Sequence, residues 1–330
     1  ARYEEVIVDY TGGTKVLAAA LVHAALTAEL GGRLTLRYIS GRRGEDGRVK
    51  EEMEIVSSER TLTQEICSRV LERLRSCDYS VAFYLAMRLP DMGRAGFIRR
   101  AAEALWLWDN FDYRASTEII RKLSEPARMF LDDGELGKLA GTMRRLLEVS
   151  GEVSNTAEAL RDLCGGGGGK RRPSGEGMRL LCADALENGW RRAREGRFTD
   201  AVLRAYRALE VAVQTALLER GISPWGPNWE AVPEEVREAF LNRFGRLPDD
   251  IALFAGMTLW SLLEGKELSD EEERKFKDLG RIRNLSYLEH GYLRCDAEAA
   301  ERAIAYAQEL AEKVLGAELG GLRERVRHEV

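Results

Sequence analysis

Strand-like patterning in this chain is confined to its first 56 residues, and nothing limits the fold more. Val6-Ile7-Val8-Asp9-Tyr10 reads as a short buried strand. Thr11-Gly12-Gly13-Thr14-Lys15 is a turn, Val16 to Leu30 an apolar helix rich in Ala and Leu, and Gly31-Gly32 its stop. Arg33 to Ser40 alternates as a strand, a Gly-rich charged turn covers Gly41 to Gly47, and a further strand lies near Val49 to Val56. A β-turn-α-β-hairpin order is that of a Rossmann-like sheet. Leu62 to Ser76 reads as an amphipathic helix, and Ser80 to Leu89 is ambiguous. From Gly93 onward the periodicity is helical throughout. The chain is therefore expected to be α/β at its start and all-α after that.

The helical part breaks most clearly at Cys164 to Gly175, where five consecutive glycines precede Lys170-Arg171-Arg172. Such a run is a flexible linker. No strand precedes it, so it is not a P-loop. Helices are expected over Gly177 to Glu195, Phe198 to Arg220, Pro233 to Phe244, Asp249 to Glu264, Ser269 to Tyr287 and Asp296 to Arg325. Asp249 and Ser269 are the expected N-caps, and Glu272 completes a capping box with Ser269. No Pro or Gly falls between Lys266 and Gly280, and that helix is expected to carry through to Gly291.

With 330 residues, 32% charged and 45% hydrophobic, the chain has a soluble globular balance and room for two domains or three. A net charge of −5 argues against coating nucleic acid non-specifically, while leaving room for a local basic site. No apolar run approaches a membrane span, and no signal peptide is visible. Five scattered cysteines without a CxxC pair imply a reduced, cytoplasmic protein. No Cys/His cluster has metal-site spacing. The chain opens without Met on what looks like an interior strand, so further residues are expected upstream.

Two stretches carry chemistry. In Asp9-Tyr10-Thr11-Gly12-Gly13-Thr14-Lys15 a strand end runs into a Gly-Gly turn and a helix start. Backbone N–H groups, hydroxyls and Lys15 there suit an anionic, nucleotide-type ligand, although a tight βα turn needs the glycines in any case. In Arg283-Asn284-Leu285-Ser286-Tyr287-Leu288-Glu289-His290 a guanidinium and an imidazole stand seven residues apart. On a helix both would project from one face about 10 Å apart. A guanidinium is a planar fork for phosphate, and an imidazole moves protons near neutral pH. The plain alternative is a helix whose Arg and His make surface or capping contacts. Arg204 and Glu210 would reach this motif if their helix pairs with it, though solvated charge or a salt bridge is the simpler role. His23 reads as a packed residue, and the tail from Leu322 to Val330, with His328, as a solvated helix end.

These stretches resemble the CARF–HEPN ribonucleases that accompany type III CRISPR systems, most closely the Cas_02710 subgroup. Asp9 to Lys15 looks like the signature turn of the CARF sensor domain. Gly196-Arg197-Phe198-Thr199-Asp200-Ala201 through Tyr206-Arg207-Ala208-Leu209-Glu210 is similar to the helix opening the HEPN region. Arg283-Asn284 to His290-Gly291 is similar to the HEPN RN…H pattern. In the family a first βα half of the sheet precedes the Gly-Gly turn, and these residues do not include it.

The resemblance implies a partial Rossmann-like CARF sensor domain at 1–90, a helical connecting region at 91–163, a Gly-rich linker at 164–176 and a HEPN nuclease domain at 177–330. It implies a homodimer that cuts single-stranded RNA without a metal, using Arg283, Asn284 and His290. The attacking group would be the RNA's own 2′-hydroxyl. A cyclic oligoadenylate would activate it by binding at Asp9, Thr11, Gly12, Gly13, Thr14 and Lys15. Two other readings stand beside this one: a non-catalytic helical RNA-binding or regulatory protein, and a sensor domain that degrades its own cyclic oligoadenylate.

Overall fold

The computed structural model of the protein describes residues 5–27, 33–40, 52–56, 58–164 and 172–330. The Gly31-Gly32 stop, the Gly41–Gly47 turn and the five-glycine run lie outside the described residues. The chain divides into two compact units, one of residues 1–72 with 81–99 and one of residues 73–80 with 100–330.

The first unit holds β1 (Glu5–Asp9), α1 (Lys15–Thr27), β2 (Arg33–Ser40), β3 (Glu52–Val56) and most of α2 (Ser58–Arg75) and α3 (Tyr79–Ala86); residues 73–80, Tyr79 among them, belong to the second unit. β1 pairs parallel with β2, Glu5 opposite Arg33, and β2 pairs antiparallel with β3, Leu36 opposite Val56. Parallel strands need a crossover, and α1 supplies it by packing against β1. α1 is apolar all round, so its sequence defines no single buried face. Ala25 is buried whereas Val16, Leu17 and Leu21 are exposed. His23 is exposed as well, not packed as its apolar surroundings suggested.

Beyond the sheet the chain is helical: α4 (Gly93–Asp109), α5 (Tyr113–Lys122), α6 (Ser124–Met129), α7 (Gly137–Cys164), α8 (Gly175–Arg194), α9 (Phe198–Glu219), α10 (Glu234–Phe244), α11 (Leu253–Glu264), α12 (Asp270–Leu285), α13 (Ala297–Leu315) and α14 (Leu319–Val326). The core of the second unit is α8, α9 and α13 packed against one another. Small residues make the close approach: Ala201, Ala205, Ala208 and Ala212 on α9 and Ala300, Ala303, Ala307 and Ala311 on α13 are buried at three- and four-residue spacing. α11 and α12 lie against α9, which is how α12 is held in place.

Three local expectations change. The helix expected from Asp249 begins only at Leu253 and has no side-chain cap. Residues 249–251 instead pair with the 224–226 strand-like turn, through Gly226 N–H to Asp249 O at 2.9 Å and Ile251 N–H to Pro224 O at 2.8 Å. The helix expected over Asp296 to Arg325 breaks at Gly316, where φ is +95°. The tail is not a solvated end. Val326 is buried, Arg323 and Arg327 both reach the Glu187 carboxylate, and Glu329 N–H donates to Thr142 Oγ1 at 3.0 Å. His328 packs 5.5 Å from the Tyr79 ring, with Nδ1 3.1 Å from the Tyr79 hydroxyl. Burial, with Arg191 and Arg145 adding positive charge, holds that imidazole well below its ordinary pKa. No described helix is long and apolar enough to cross a membrane.

Candidate functional site

α12 starts where its sequence says it should. The Ser269 hydroxyl accepts from Glu272 N–H at 3.3 Å, and the Glu272 carboxylate accepts from Ser269 N–H at 2.7 Å, closing the capping box. Its end does not follow expectation. The helix stops at Leu285 and does not continue to Gly291. Ser286 is fully buried, turns extended at ψ 150°, and donates its hydroxyl to Arg283 O at 2.7 Å. A serine that satisfies a helix carbonyl in this way gives the backbone an alternative to another turn. The chain then loops and returns. Glu289 and Gly291 N–H both donate to Ser286 O, at 3.1 and 3.2 Å, and Leu293 N–H donates to Leu285 O at 2.9 Å.

Gly291 passes so close to Leu285 that a Cβ there would overlap the Leu285 backbone. The overlap is with backbone, which cannot swing aside, so Gly291→Ala should open the loop. We expect it to cost about 1–3 kcal/mol, read as a lower denaturant midpoint.

Because the loop folds back, Arg283 and His290 do not stack one above the other on a helix face. They meet at a third residue. Glu289 Oε2 lies 3.0 Å from Arg283 Nη2 and 3.9 Å from His290 Nε2, so the two nitrogens are within 7 Å of each other. Asn284 accepts from Arg283 Nη1 at 2.9 Å. The Arg283 guanidinium lies over the Tyr206 ring, 4.8 Å from its centroid. Burial, reinforced by Glu210, raises the Tyr206 hydroxyl above its ordinary pKa, with Arg283 pulling the other way. His290 is 78% exposed, whereas Arg283 and Glu289 are half-buried at 26% and 21%. Tyr287, Leu288, Tyr292 and Leu293 surround this point as exposed apolar groups, and the Tyr287 and Tyr292 rings meet edge-on at 6.3 Å.

α9 does reach the motif, but through Tyr206. Arg204 points elsewhere and stacks 4.5 Å from the Phe111 centroid, its guanidinium pKa lowered by burial and by Arg192. Glu210 pairs with Arg207 at 3.1 Å. By its spacing Tyr206 shares the core face of α9 with Ala201, Leu209 and Val213. The signal for Glu289 was its place beside His290; for Tyr206 there was none, because the contact depends on how two helices cross.

The turn in the first unit has the expected local form. Thr11 N–H donates to Asp9 Oδ1 at 3.0 Å, and Thr14 Oγ1 accepts from Leu17 N–H at 3.3 Å as a cap for α1. Gly13 has φ +97°, a left-handed conformation that glycine adopts without strain. Hydrogen bonds from Thr11 hold the Asp9 carboxyl below its usual range, with Arg37 3.6 Å away adding to the effect. Thr11, Gly12, Gly13, Thr14 and Lys15 are all exposed at the carboxyl end of β1. Among the described residues no group of three or more His, Cys, Asp or Glu gathers into a metal-binding cluster.

Residues 171–314 match the family model described as the Csm6 HEPN domain. In fold, the chain is similar to the structure of Enterococcus italicus Csm6 bound to cyclic hexa-2′-fluoro-hexa-dAMP. The TM-score is 0.51 at 12% identity, over 98% of this chain and 73% of that one. No curated protein matches the sequence. The family match spans less than half of the chain, and the structural likeness is one of fold: a small sheet-bearing part and a mostly helical remainder.

Proposed function

We propose that this Csm6-like chain is an endoribonuclease of type III CRISPR antiviral defence that cuts single-stranded RNA when a cyclic oligoadenylate binds. The observation that carries the reading is the convergence of Arg283 and His290 on one exposed point, within the segment that resembles a Csm6 HEPN domain. HEPN domains are generally ribonucleases, and a guanidinium beside an imidazole suits a phosphodiester.

In this mechanism the RNA 2′-oxygen attacks the neighbouring phosphorus. The O2′–P bond forms, the P–O5′ bond breaks, and the products carry a 2′,3′-cyclic phosphate and a 5′-hydroxyl. One proton leaves the 2′-hydroxyl and one reaches the departing O5′. His290 mediates one of these transfers, and Arg283 stabilises the charge that grows on the phosphorane oxygens, a role worth about 3 kcal/mol per well-aimed donor. Asn284 fixes the Arg283 fork through its side-chain carbonyl. Single-stranded RNA reaches the in-line geometry that a duplex hinders.

A second proton-transfer group is needed, and a second copy of the chain would supply it. Tyr287, Leu288, Tyr292 and Leu293 give the loop an apolar rim suited to a two-fold contact, in which each patch meets itself. The activator would bind at Asp9, Thr11, Gly12, Gly13, Thr14 and Lys15, where exposed backbone and Lys15 at the start of α1 favour its phosphates.

The test is a fluorescent single-stranded RNA incubated with the protein and either cyclic tetra-adenylate or cyclic hexa-adenylate, in EDTA. One of the two rings should accelerate cleavage and leave 2′,3′-cyclic phosphate ends. No cleavage with either ring, or products with 3′-hydroxyl ends, would sink the reading.

A further inference from the structure

The Glu289 carboxylate stands where the ribonuclease reading puts a phosphoryl oxygen. We propose that Glu289 competes with the RNA phosphate for Arg283 and thereby sets the affinity of the site for its substrate. This inference rests on that reading and adds to it a residue whose removal should strengthen substrate binding.

The anion position at Arg283 is already occupied. Glu289 Oε2 is held by Arg283 Nη2 at 3.0 Å and lies 3.9 Å from His290 Nε2, so one anionic oxygen already sits between the two groups assigned to the scissile phosphate. A guanidinium fork takes carboxylate and phosphate in the same geometry, so the two are direct rivals. Arg283 has little else to offer. Nη1 is engaged with the Asn284 carbonyl, one face of the guanidinium covers Tyr206, and Nε is buried without a hydrogen-bond partner. The Nη2 edge is the part left for an incoming anion, and Glu289 fills it. A carboxylate and a phosphodiester at the same spot repel, so the phosphate enters only as the carboxylate leaves.

Leaving is feasible because of where Glu289 sits. It lies on the Ser286–Leu293 loop, outside any helix, where its backbone N–H donates to Ser286 O at 3.1 Å. A rotation of its side chain toward solvent frees Arg283 without disturbing the Leu293 N–H bond to Leu285 O that closes the loop. The competing role is positional: the carboxylate holds Arg283 in place for catalysis, and RNA binds around it. The two roles predict opposite effects of removing the charge.

The experiment compares the full chain with its Glu289→Gln variant, alone and combined with Arg283→Ala. Affinity is measured with an RNA carrying 2′-O-methyl groups throughout, which binds but has no attacking hydroxyl. Cleavage is measured with the unmodified RNA under activation. Gln keeps the size of Glu and one acceptor oxygen, and equal melting temperatures would show that the loop is intact. Competition predicts that Glu289→Gln binds the methylated RNA about tenfold more tightly and lowers KM by a similar factor. Its kcat stays within about twofold of the parent chain, and the gain in affinity vanishes in the Arg283→Ala background. Unchanged or weaker affinity overturns the proposal, as does a kcat loss of tenfold or more. If instead the parent chain cuts RNA no faster than its His290→Ala variant, the ribonuclease reading fails. The binding comparison still decides whether Glu289 blocks an anion at Arg283.

Discussion

Replacing His290 with Ala should reduce activated RNA cleavage by about 10²–10⁴-fold, the usual contribution of one positioned proton-transfer group. The fold should barely register the change. His290 is 78% exposed, and the charged group near it is Glu289 at 3.9 Å, a separation that contributes little to stability for an exposed pair. A large kinetic loss with an unchanged melting temperature would therefore assign the chemistry to the imidazole. Arg283→Ala should also be inactive, but it is the less clean test. Arg283 is half-buried, covers Tyr206 and bonds Asn284, so part of its loss would be structural. Initial rates on a fluorescent RNA with saturating activator, beside thermal melts of both variants, make the comparison. Cleavage by the His290→Ala variant within tenfold of the parent would place the chemistry elsewhere.

The residues proposed for this site stand out in the sequence, but the geometry that joins them does not. Arg283, Asn284 and His290 stand out because a polar group of that composition is unusual where a helix would pack. Their spacing invited a helical reading, and α12 does begin at the capping box its sequence spells out. The stop at Leu285 depends on a buried Ser286 hydroxyl and on a glycine five residues further along fitting against Leu285. Such closure is tertiary, and a window of periodicity cannot register it. The sheet was easier, since its parallel pair and its hairpin follow from a short crossover helix and a turn. The docked tail was invisible for the opposite reason. Its Glu and Arg residues read as solvent-facing until Glu187 of α8 is placed beneath them.

Asp184 on α8 illustrates how far the buried charges of the second unit matter, and its replacement should be strongly destabilising. Its side chain is fully buried and accepts from Trp108 Nε1 at 3.0 Å, Tyr113 Oη at 2.7 Å and Arg191 Nη2 at 3.2 Å. Arg191 in turn donates from Nε to Asp109 Oδ1 at 2.9 Å, and Asp109 also accepts from Asn188 Nδ2 at 3.0 Å and pairs with Arg192. Burial alone would lower the Arg191 pKa, but Asp184 and its other acidic neighbours more than offset that and keep the guanidinium charged. Asp184→Ala would leave this buried cation with one carboxylate in place of two and strand the Trp108 and Tyr113 donors. Breaking a buried pair from one side typically costs about 3–5 kcal/mol. For a unit of this size that is a fall of roughly 10 °C in melting temperature. Asp184→Asn keeps an acceptor for one donor and should lose less. The Tyr113 hydroxyl provides a second readout. Burial and the adjacent Asp184 carboxylate raise its pKa well above normal, so neutralising Asp184 should bring its ionisation down toward the ordinary tyrosine range. Urea unfolding should show a lower midpoint with an unchanged slope, and ultraviolet titration the lowered tyrosine. A midpoint for Asp184→Ala equal to that of the parent chain would mean that the Arg191 charge is carried by Asp109 alone.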